Sequence, residues 1–349
     1  MDVGEETRGM VLRAVLAGCG AMSAGWIDAA RQLPEVKIVG FADLDAARAG
    51  EAAARWGRPA ATGTDAIAMI EQLQPDILFD VAVPTARHAL VSAALAFGCH
   101  VLTEKPMAET MKQARDLLAR AHAAKRVHAV VQNRRYIAPI RRIRRLLASG
   151  VLGPVTSLHC DFFLGPHFGG FRESMRHVLL LDMAIHTFDA ARCLSGQDAE
   201  AVYCREWNPP GSWFDHASSA AAIFELSGGA LFTYRGSWVA QGLPTSWESA
   251  WRIIGEHGSL TWDGHEDIRA EIVGPPRARL FDTPHAVEIP PLTPEDGIGG
   301  HLGVMRDFLR AVSGGPPPET RGADNIHSLA MVMAAIASAE GGQRISLAH

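Results

Sequence analysis

Short apolar runs alternate with longer alanine-rich stretches through the first third of the chain. "VLRAVLAG", "VKIVGFAD", "DILFDVAV", "HVLTE" and "VHAVVQ" read as strands, the third of them stopped by Pro84. Between them, residues 21–31, the segment "LDAARAGEAAARWG", the segment "ALVSAALAFG" closed by Gly98, and residues 107–124 read as helices. Strands that are apolar nearly throughout, spaced by helices, form a parallel sheet covered on both faces. The pattern predicts a doubly wound α/β domain over residues 11–130, preceded by a flexible tail at 1–10.

Beyond that point the period changes. "PVTSLHCDFFLG" alternates apolar and polar positions, as a half-buried strand does. "SSAAAIFELSGGALFTYRGSWV" reads as two strands joined at Gly228-Gly229, and "SAWRIIGEHGSLTWDG" repeats the idea around Gly258. A helix over residues 180–194 interrupts these strands, and helices over 301–312 and 323–339 close the chain. Residues 263–300, rich in proline, read as loops and short strands. Hairpin-joined strands with helices set to one side predict an α+β domain over residues 131–349 with an open, mostly antiparallel sheet. Its last helix is the segment expected to be able to pack back on the first domain.

Composition narrows the function classes. A chain of 349 residues, 48% hydrophobic and 20% charged, suits two globular domains. The net charge of −5 supplies no basic footprint, which argues against a nucleic-acid partner. Arginines cluster in "NRRYIAPIRRIRR", residues 133–145, at helical spacing, and are expected to line a solvated face. The N-terminal "MDVGEETRGM" has no apolar core, and no run of about 18 uncharged apolar residues occurs, so neither a signal peptide nor a membrane span is expected. Five scattered cysteines without CxxC spacing fit reduced, mostly buried thiols in a cytoplasm rather than disulfides or a zinc site.

The first strand ends in Gly18-Cys19-Gly20-Ala21-Met22-Ser23. Gly18 permits a tight turn, Gly20 lets backbone approach a pyrophosphate, and the following helix offers unpaired N–H groups to its charge. Ser23 stands where the dinucleotide fingerprint has Gly or Ala. Asp43 follows at the end of the second strand, placed to accept hydrogen bonds from an adenosine ribose and to repel a 2′-phosphate. The expected cofactor is therefore NAD, with Arg48 one helical turn further softening the preference over NADP.

Only four of the 33 cationic residues are lysines: Lys37, Lys105, Lys112 and Lys125. Lys105 sits in "HVLTEKPMAET", where a strand stops at the carboxyl edge of the sheet and Pro106 biases it away from helical geometry. A compact ammonium in that place suggests chemistry rather than solubility. In "HVLLLDMAIHTFDAARCLSG", Asp182 and His186 lie four apart and project from one helix face, with Asp189 placed to share it. The apolar residues around them mean burial, and a buried Asp and His need partners. Two histidine or carboxylate ligands without a third give no convincing metal site.

The glycine turn, Asp43, "PTARH" (84–88), "GCHVLTEKPMAET" (98–110) and "DMAIH" occur in the order seen in the Gfo/Idh/MocA oxidoreductases, the glucose–fructose oxidoreductase and inositol dehydrogenase group, and the chain resembles that family over nearly its whole length. The resemblance implies a Rossmann domain followed by an open-faced sheet domain through which homodimers or homotetramers form. It makes Lys105, Asp182 and His186 the catalytic set, with His186 as general acid/base. It also extends the cofactor contacts from Gly18, Gly20, Ala21, Met22, Ser23 and Asp43 to Pro84, His88, Glu104 and Lys105. One difference is that many members carry glycines before the helix aspartate, where this chain has "FRESMRHVLLLD".

The expected reaction is hydride transfer between nicotinamide and a secondary alcohol of a cyclitol or sugar. His186 exchanges the hydroxyl proton, and Lys105 stabilises charge on the same oxygen. Arg135, Tyr136, Arg172, Arg176 and His177 are candidate substrate contacts, since their donors suit hydroxyls, a carboxylate or a phosphate. Two rival readings are a nucleotide-binding regulator without turnover, and a redox-neutral glycosidase or aldose–aldose oxidoreductase that recycles tightly bound cofactor.

Overall fold

The computed structural model describes residues 11–274, 280 and 282–347; the expected tail at 1–10 lies outside the described residues. The chain forms two compact units. The first contains residues up to Asn133 together with Gly300–Ile326; the second contains Arg134–Gly299 and the chain from His327 on.

The first unit begins β1 (Leu12–Ala17), α1 (Ser23–Arg31), β2 (Val36–Ala42), α2 (Ala46–Trp56), β3 (Ala61–Gly63) and α3 (Ala66–Leu73). It continues with β4 (Ile77–Asp80), α4 (Pro84–Ala96), β5 (His100–Thr103), α5 (Met111–Ala124) and β6 (His128–Val130). All strand pairings are parallel, in the order β3-β2-β1-β4-β5-β6. This is the doubly wound topology expected from the apolar runs, and its order reverses between β1 and β4 at the carboxyl edge where such sheets bind ligands. The helices start on local signals. Asp45, Asp65 and Thr110 accept hydrogen bonds from the first-turn N–H groups of α2, α3 and α5, and α4 opens on Pro84.

The second unit contains α6 (Ala138–Ala148), β7 (Val155–Phe163), a π-helical turn (Leu179–Ala184) that runs directly into α7 (Ile185–Ser195), and β8 (Ala199–Trp207). β9 (Ser219–Leu226), β10 (Leu231–Ser237), β11 (Ala250–Gly255), β12 (Gly258–Trp262), β13 (Ile268–Val273) and β14 (Pro284–Val287) follow. Together with β15 (Ile345–Ser346) they form a nine-stranded sheet ordered β14-β13-β12-β11-β7-β10-β9-β8-β15. Among the described residues only β7 and β10 of this sheet pair in parallel; the expected β9/β10 and β11/β12 hairpins are both present. The proline-rich stretch contributes β13 and β14.

One face of this sheet is packed. Phe188 of α7 meets Phe224, Phe232 and Tyr234 edge-on at 4.8, 6.0 and 5.3 Å between ring centres. Ile140, Ile143 and Leu146 of α6 join the same core. The arginine run does not form the solvated face expected of it. Arg135 is buried against Asp189, Arg134 pairs with Glu248, Arg142 donates to the Pro290 carbonyl and Arg145 grips Asp296. Periodicity placed them on one helix side; their acceptors lie 54 to 151 residues away in sequence.

The chain then returns. α8 (Gly300–Val312) belongs to the first unit, where it packs against α1, whereas the sequence reading assigned 131–349 to the second domain. Its amphipathic pattern says that one side is buried and is silent on what buries it. α9 (Gly322–Gly341) starts in the first unit, and its residues from His327 belong to the second.

Replacing Phe188 by Ala removes the ring on which three aromatic partners converge. The variant is expected to lose about 3–5 kcal/mol of unfolding free energy, measured by urea denaturation with far-UV circular dichroism.

Candidate active site

The glycine turn is built as a dinucleotide cradle requires. Gly18 has φ +92°, and a Cβ there would sit 2.4 Å from the Val81 carbonyl carbon, so only glycine fits. A Cβ at Gly20 would meet nothing within 4 Å, which leaves that stretch of backbone bare to a ligand. No side chain caps the start of α1, so its first N–H groups are uncommitted to protein side chains. Ser23, the departure from the fingerprint, turns its hydroxyl back to donate to the Gly20 carbonyl at 2.7 Å and is buried. Ala21 and Met22 are exposed beside it. A cavity of about 460 Å³ opens here, lined by Gly20, Ala21, Ser23 and Arg48 among others. Asp43 accepts the Cys19 N–H at 2.7 Å through Oδ2 and the Asp45 N–H at 2.9 Å through Oδ1. The carboxylate thus clamps the turn, and each oxygen keeps a further lone pair for a ribose hydroxyl. These residues fit NAD.

Lys105 follows β5, half-buried, at the start of a cis Lys105–Pro106 bond. Its neighbours are held by groups that sequence reasoning did not single out. Arg87, one residue before the proposed cofactor contact His88, is buried and donates through Nε to Asp80 at 2.7 Å, through Nη1 to the Pro106 carbonyl at 2.5 Å and through Nη2 to the Ala82 carbonyl at 2.6 Å. The Thr103 hydroxyl donates to the same Asp80 carboxylate. Glu104 gathers three donors: Trp26 Nε1 at 2.8 Å, the Lys105 N–H at 3.2 Å and the His301 ring at 3.3 Å. Burial alone would raise the Glu104 carboxyl, but the bonds from His301 and Trp26 and the charges of His301 and Lys105 outweigh it and leave it below the usual range. Pro84 forms the first turn of α4, and His88 is paired with Asp116 of α5 at 2.8 Å.

In the second unit, Asp182 lies in the π-helical turn and His186 is the second residue of α7, both half-buried. π-turns are uncommon and collect at functional sites; here the turn carries the candidate aspartate directly into the helix of the candidate histidine. Arg172 reaches Asp182 with Nε at 2.9 Å. Asp189 does not share this position. It is buried and takes two bonds from Arg135, at 2.7 and 2.6 Å, and one from Ser328 at 2.7 Å. Arg135 thus commits two donors to the core of the unit, and Tyr136 is buried with the Arg141 guanidinium 4.6 Å over its ring. Arg176 is exposed. His177 bonds Glu206 at 2.6 Å and Glu340 at 3.3 Å, and its bond to Glu206 outweighs partial burial to raise its pKa above the ordinary value. A second cavity, about 470 Å³, lies on the outer face of this unit's sheet, lined by Asp161, Arg235, Arg252 and Arg269 among others and by none of the candidate catalytic residues. Among the described residues no group of three or more His, Cys, Asp or Glu is placed to hold a metal ion, and no cysteine is in a disulfide. No helix of the described residues is long and apolar enough to cross a membrane.

Two family models match, one described as the NAD-binding Rossmann fold of an oxidoreductase family over residues 12–132, the other as the GFO/IDH/MocA C-terminal domain over residues 140–261. The chain belongs to the GFO/IDH/MocA oxidoreductase family. It is 25% identical over 349 residues to a D-apiose dehydrogenase of Rhizobium rhizogenes, covering 96% of this chain and 97% of that one. An inositol 2-dehydrogenase of Ralstonia nicotianae is 29% identical over 219 residues, covering 61% and 62% of the two chains. Among solved structures, an oxidoreductase from Agrobacterium radiobacter in complex with NAD+, L-tartaric acid and magnesium superposes with a TM-score of 0.83 at 22% identity, over 97% of this chain and 98% of that one. As a member of this family the chain is an NAD-binding oxidoreductase, and its glycine cradle, Asp43 and the Lys105 segment lie in the matched NAD-binding region. Asp182 and His186 lie in the matched C-terminal domain.

His177 gives a measurable signature. Its folded pKa is raised above the unfolded value of about 6.5, so its pairing with Glu206 and Glu340 stabilises fully below that value and weakens as pH rises through the folded pKa. The gap in melting temperature between the wild type and His177→Gln should be widest near about pH 6 and narrow as pH rises through the raised folded pKa, as followed by thermal melts in buffers of constant ionic strength.

Proposed function

We propose that the chain is an NAD-dependent dehydrogenase or reductase that interconverts a secondary alcohol and a ketone on a cyclitol or sugar-like substrate. The observation that carries this reading is Asp182, half-buried on a π-turn with Arg172 at 2.9 Å, running directly into the helix of His186. The names of the D-apiose and inositol dehydrogenases, at 25% and 29% identity, support a polyhydroxylated substrate.

In this reading, His186 accepts the hydroxyl proton as the alcohol is oxidised and returns it on reduction. Lys105 donates a hydrogen bond to the same oxygen and stabilises the charge that develops there. The Arg87 and Glu104 networks keep the Lys105 segment from relaxing, so the ammonium is presented rather than searched for. Asp182 orients the proton-transfer pair or accepts from a neighbouring hydroxyl, with Arg172 fixing its position. Gly18, Gly20, Ala21, Met22, Ser23 and Asp43 hold the dinucleotide, with Pro84, His88 and Glu104 beside its nicotinamide end. The redox change itself is supplied by the nicotinamide when NAD is bound.

Association of copies through the outer face of the second sheet belongs to the same proposal. That face leaves Tyr203, Ile223 and Leu231 exposed on neighbouring strands, in cross-strand register with Thr233 and Glu225. Ile223→Asp should lower the sedimentation coefficient towards that of a monomer; an unchanged value at equal concentration counts against this face.

Steady-state oxidation of myo-inositol and D-apiose with NAD tests the chemistry. Lys105→Ala should lower kcat/KM by about 10²–10³-fold. His186→Asn, which removes the proposed proton acceptor, should lower kcat by about 10²–10⁴-fold. Near-wild-type turnover in Lys105→Ala would sink the reading.

A further inference from the structure

Beside Asp182 the second unit exposes aromatic rings that the mechanism above does not use. Phe168 is 37% exposed and Trp247 50%, on two different loops. Their ring centres lie 6.4 Å apart, and both pack on the buried Trp238, at 5.2 and 5.7 Å. Phe162, also buried, backs Trp238 edge-on at 4.9 Å. Leaving two large rings half in water forfeits burial free energy, and contiguous exposed apolar surface of this kind marks a binding site more often than an accident of packing.

The rings are held rather than loose. Thr245, two residues before Trp247, accepts the Phe163 N–H at 2.9 Å and donates its own N–H to the Phe163 carbonyl at 3.0 Å. The Trp247 carbonyl accepts from Arg134 at 2.5 Å, and Arg134 in turn pairs with Glu248 at 2.9 Å and touches Met183, the residue after Asp182. On the other loop, His167 stacks on Trp213 at 4.0 Å, and the Trp213 indole donates to the Pro166 carbonyl at 3.1 Å. Arg172, which holds Asp182, places its guanidinium 5.2 Å over Phe168. Phe168 thus lies under the guanidinium that bonds Asp182, and the Trp247 carbonyl is held by an arginine that touches the next residue, Met183.

We infer that Trp247, with the Phe168 ring tilted 51° beside it, forms a stacking platform that selects a ring-shaped polyol over an acyclic one. A six-membered polyol has an apolar C–H face and a rim of hydroxyls. An aromatic wall bordered by a carboxylate and a guanidinium complements both, with the wall taking the C–H face and Asp182 and Arg172 taking rim hydroxyls. An acyclic polyol of equal hydroxyl count has no continuous C–H face to offer, so it uses the polar groups alone. The inference rests on the proposed polyol oxidation for the identity of the guest, but not for the existence of the platform.

Kinetics and binding together test it. With NAD present, wild type, Trp247→Ala, Trp247→Phe and Phe168→Leu are compared on myo-inositol and on the acyclic polyol D-glucitol, with binding of each followed by saturation-transfer NMR. Trp247→Ala should lose about tenfold in kcat/KM on the ring, mostly through KM, and less than about threefold on the acyclic polyol. Trp247→Phe should recover most of the loss, and Phe168→Leu should fall between. Equal losses on both polyols, or none on the ring in a folded variant, overturn the platform while leaving the dehydrogenase reading standing. Wild type that binds the ring through Trp247 but never oxidises it keeps the platform and removes the cyclitol from the proposed substrates. If wild type binds neither polyol, or if Trp247→Ala loses affinity for a free pyrimidine nucleotide and not for the ring, the platform as stated is wrong. Should Trp247→Ala not fold, the Phe168→Leu and Trp247→Phe ratios decide.

Discussion

A guanidinium shut away from water dictates the shape of the first unit's reactive edge. Arg87 and Asp80 are both almost fully enclosed, and the cation spends its remaining donors on the carbonyls of Ala82 and Pro106. Removing either partner would strand a buried charge, a penalty of about 3–5 kcal/mol, so the ends of β4 and β5 and the Lys105–Pro106 peptide are held as one object. Glu104 repeats the device one residue earlier, tying the same segment to α1 through Trp26 and to α8 through His301. The ammonium of Lys105 is thus carried by a frame whose members come from four separate stretches of sequence.

The second unit solves a different problem. Its sheet is packed on one face and open on the other, and the candidate catalytic pair must leave the packed face without unravelling its helix. The π-turn does this: Leu179, Leu180, Met183 and Ala184 stay buried while Asp182 is half-exposed beside Arg172. An uninterrupted α-helix would keep a strict register between the buried leucines and the aspartate; the wider turn relaxes it.

How much of this was legible beforehand follows from what a linear pattern encodes. Strand–helix alternation, the glycine turn with Asp43 and the hairpins at Gly229 and Gly258 are local signals, and each stands where the apolar runs put it. β3 escaped because Ala61–Gly63 is three residues long and mostly exposed, leaving no apolar run to see. The arginine run misled because "NRRYIAPIRRIRR" reports spacing, whereas Asp189, Glu248 and Asp296 decide that its cations are paired. Asp189 looked like a third member of the catalytic face for the same reason: its partners Arg135 and Ser328 are 54 and 139 residues away. Arg87 and His301 were invisible because a supporting role depends on a three-dimensional neighbour and leaves no motif of its own. Type and spacing alone single out Lys105, Asp182 and His186 as candidates; the groups that hold them leave no such mark.

The parallel pairing of β7 with β10 has a consequence for how the protein is made. β7 sits in the middle of the nine-stranded sheet, yet its neighbours are β10 and β11, with His159 facing Thr233 across a separation of 74 residues. On a ribosome this strand emerges with both hydrogen-bonding edges bare, and neither can be satisfied until the two later strands have been synthesised. Sequence-distant pairings of this kind slow folding and prolong exposure of sticky intermediates. The centre of the sheet therefore waits for β10 and β11, and a nascent polypeptide halted before β10 would be a substrate for chaperones.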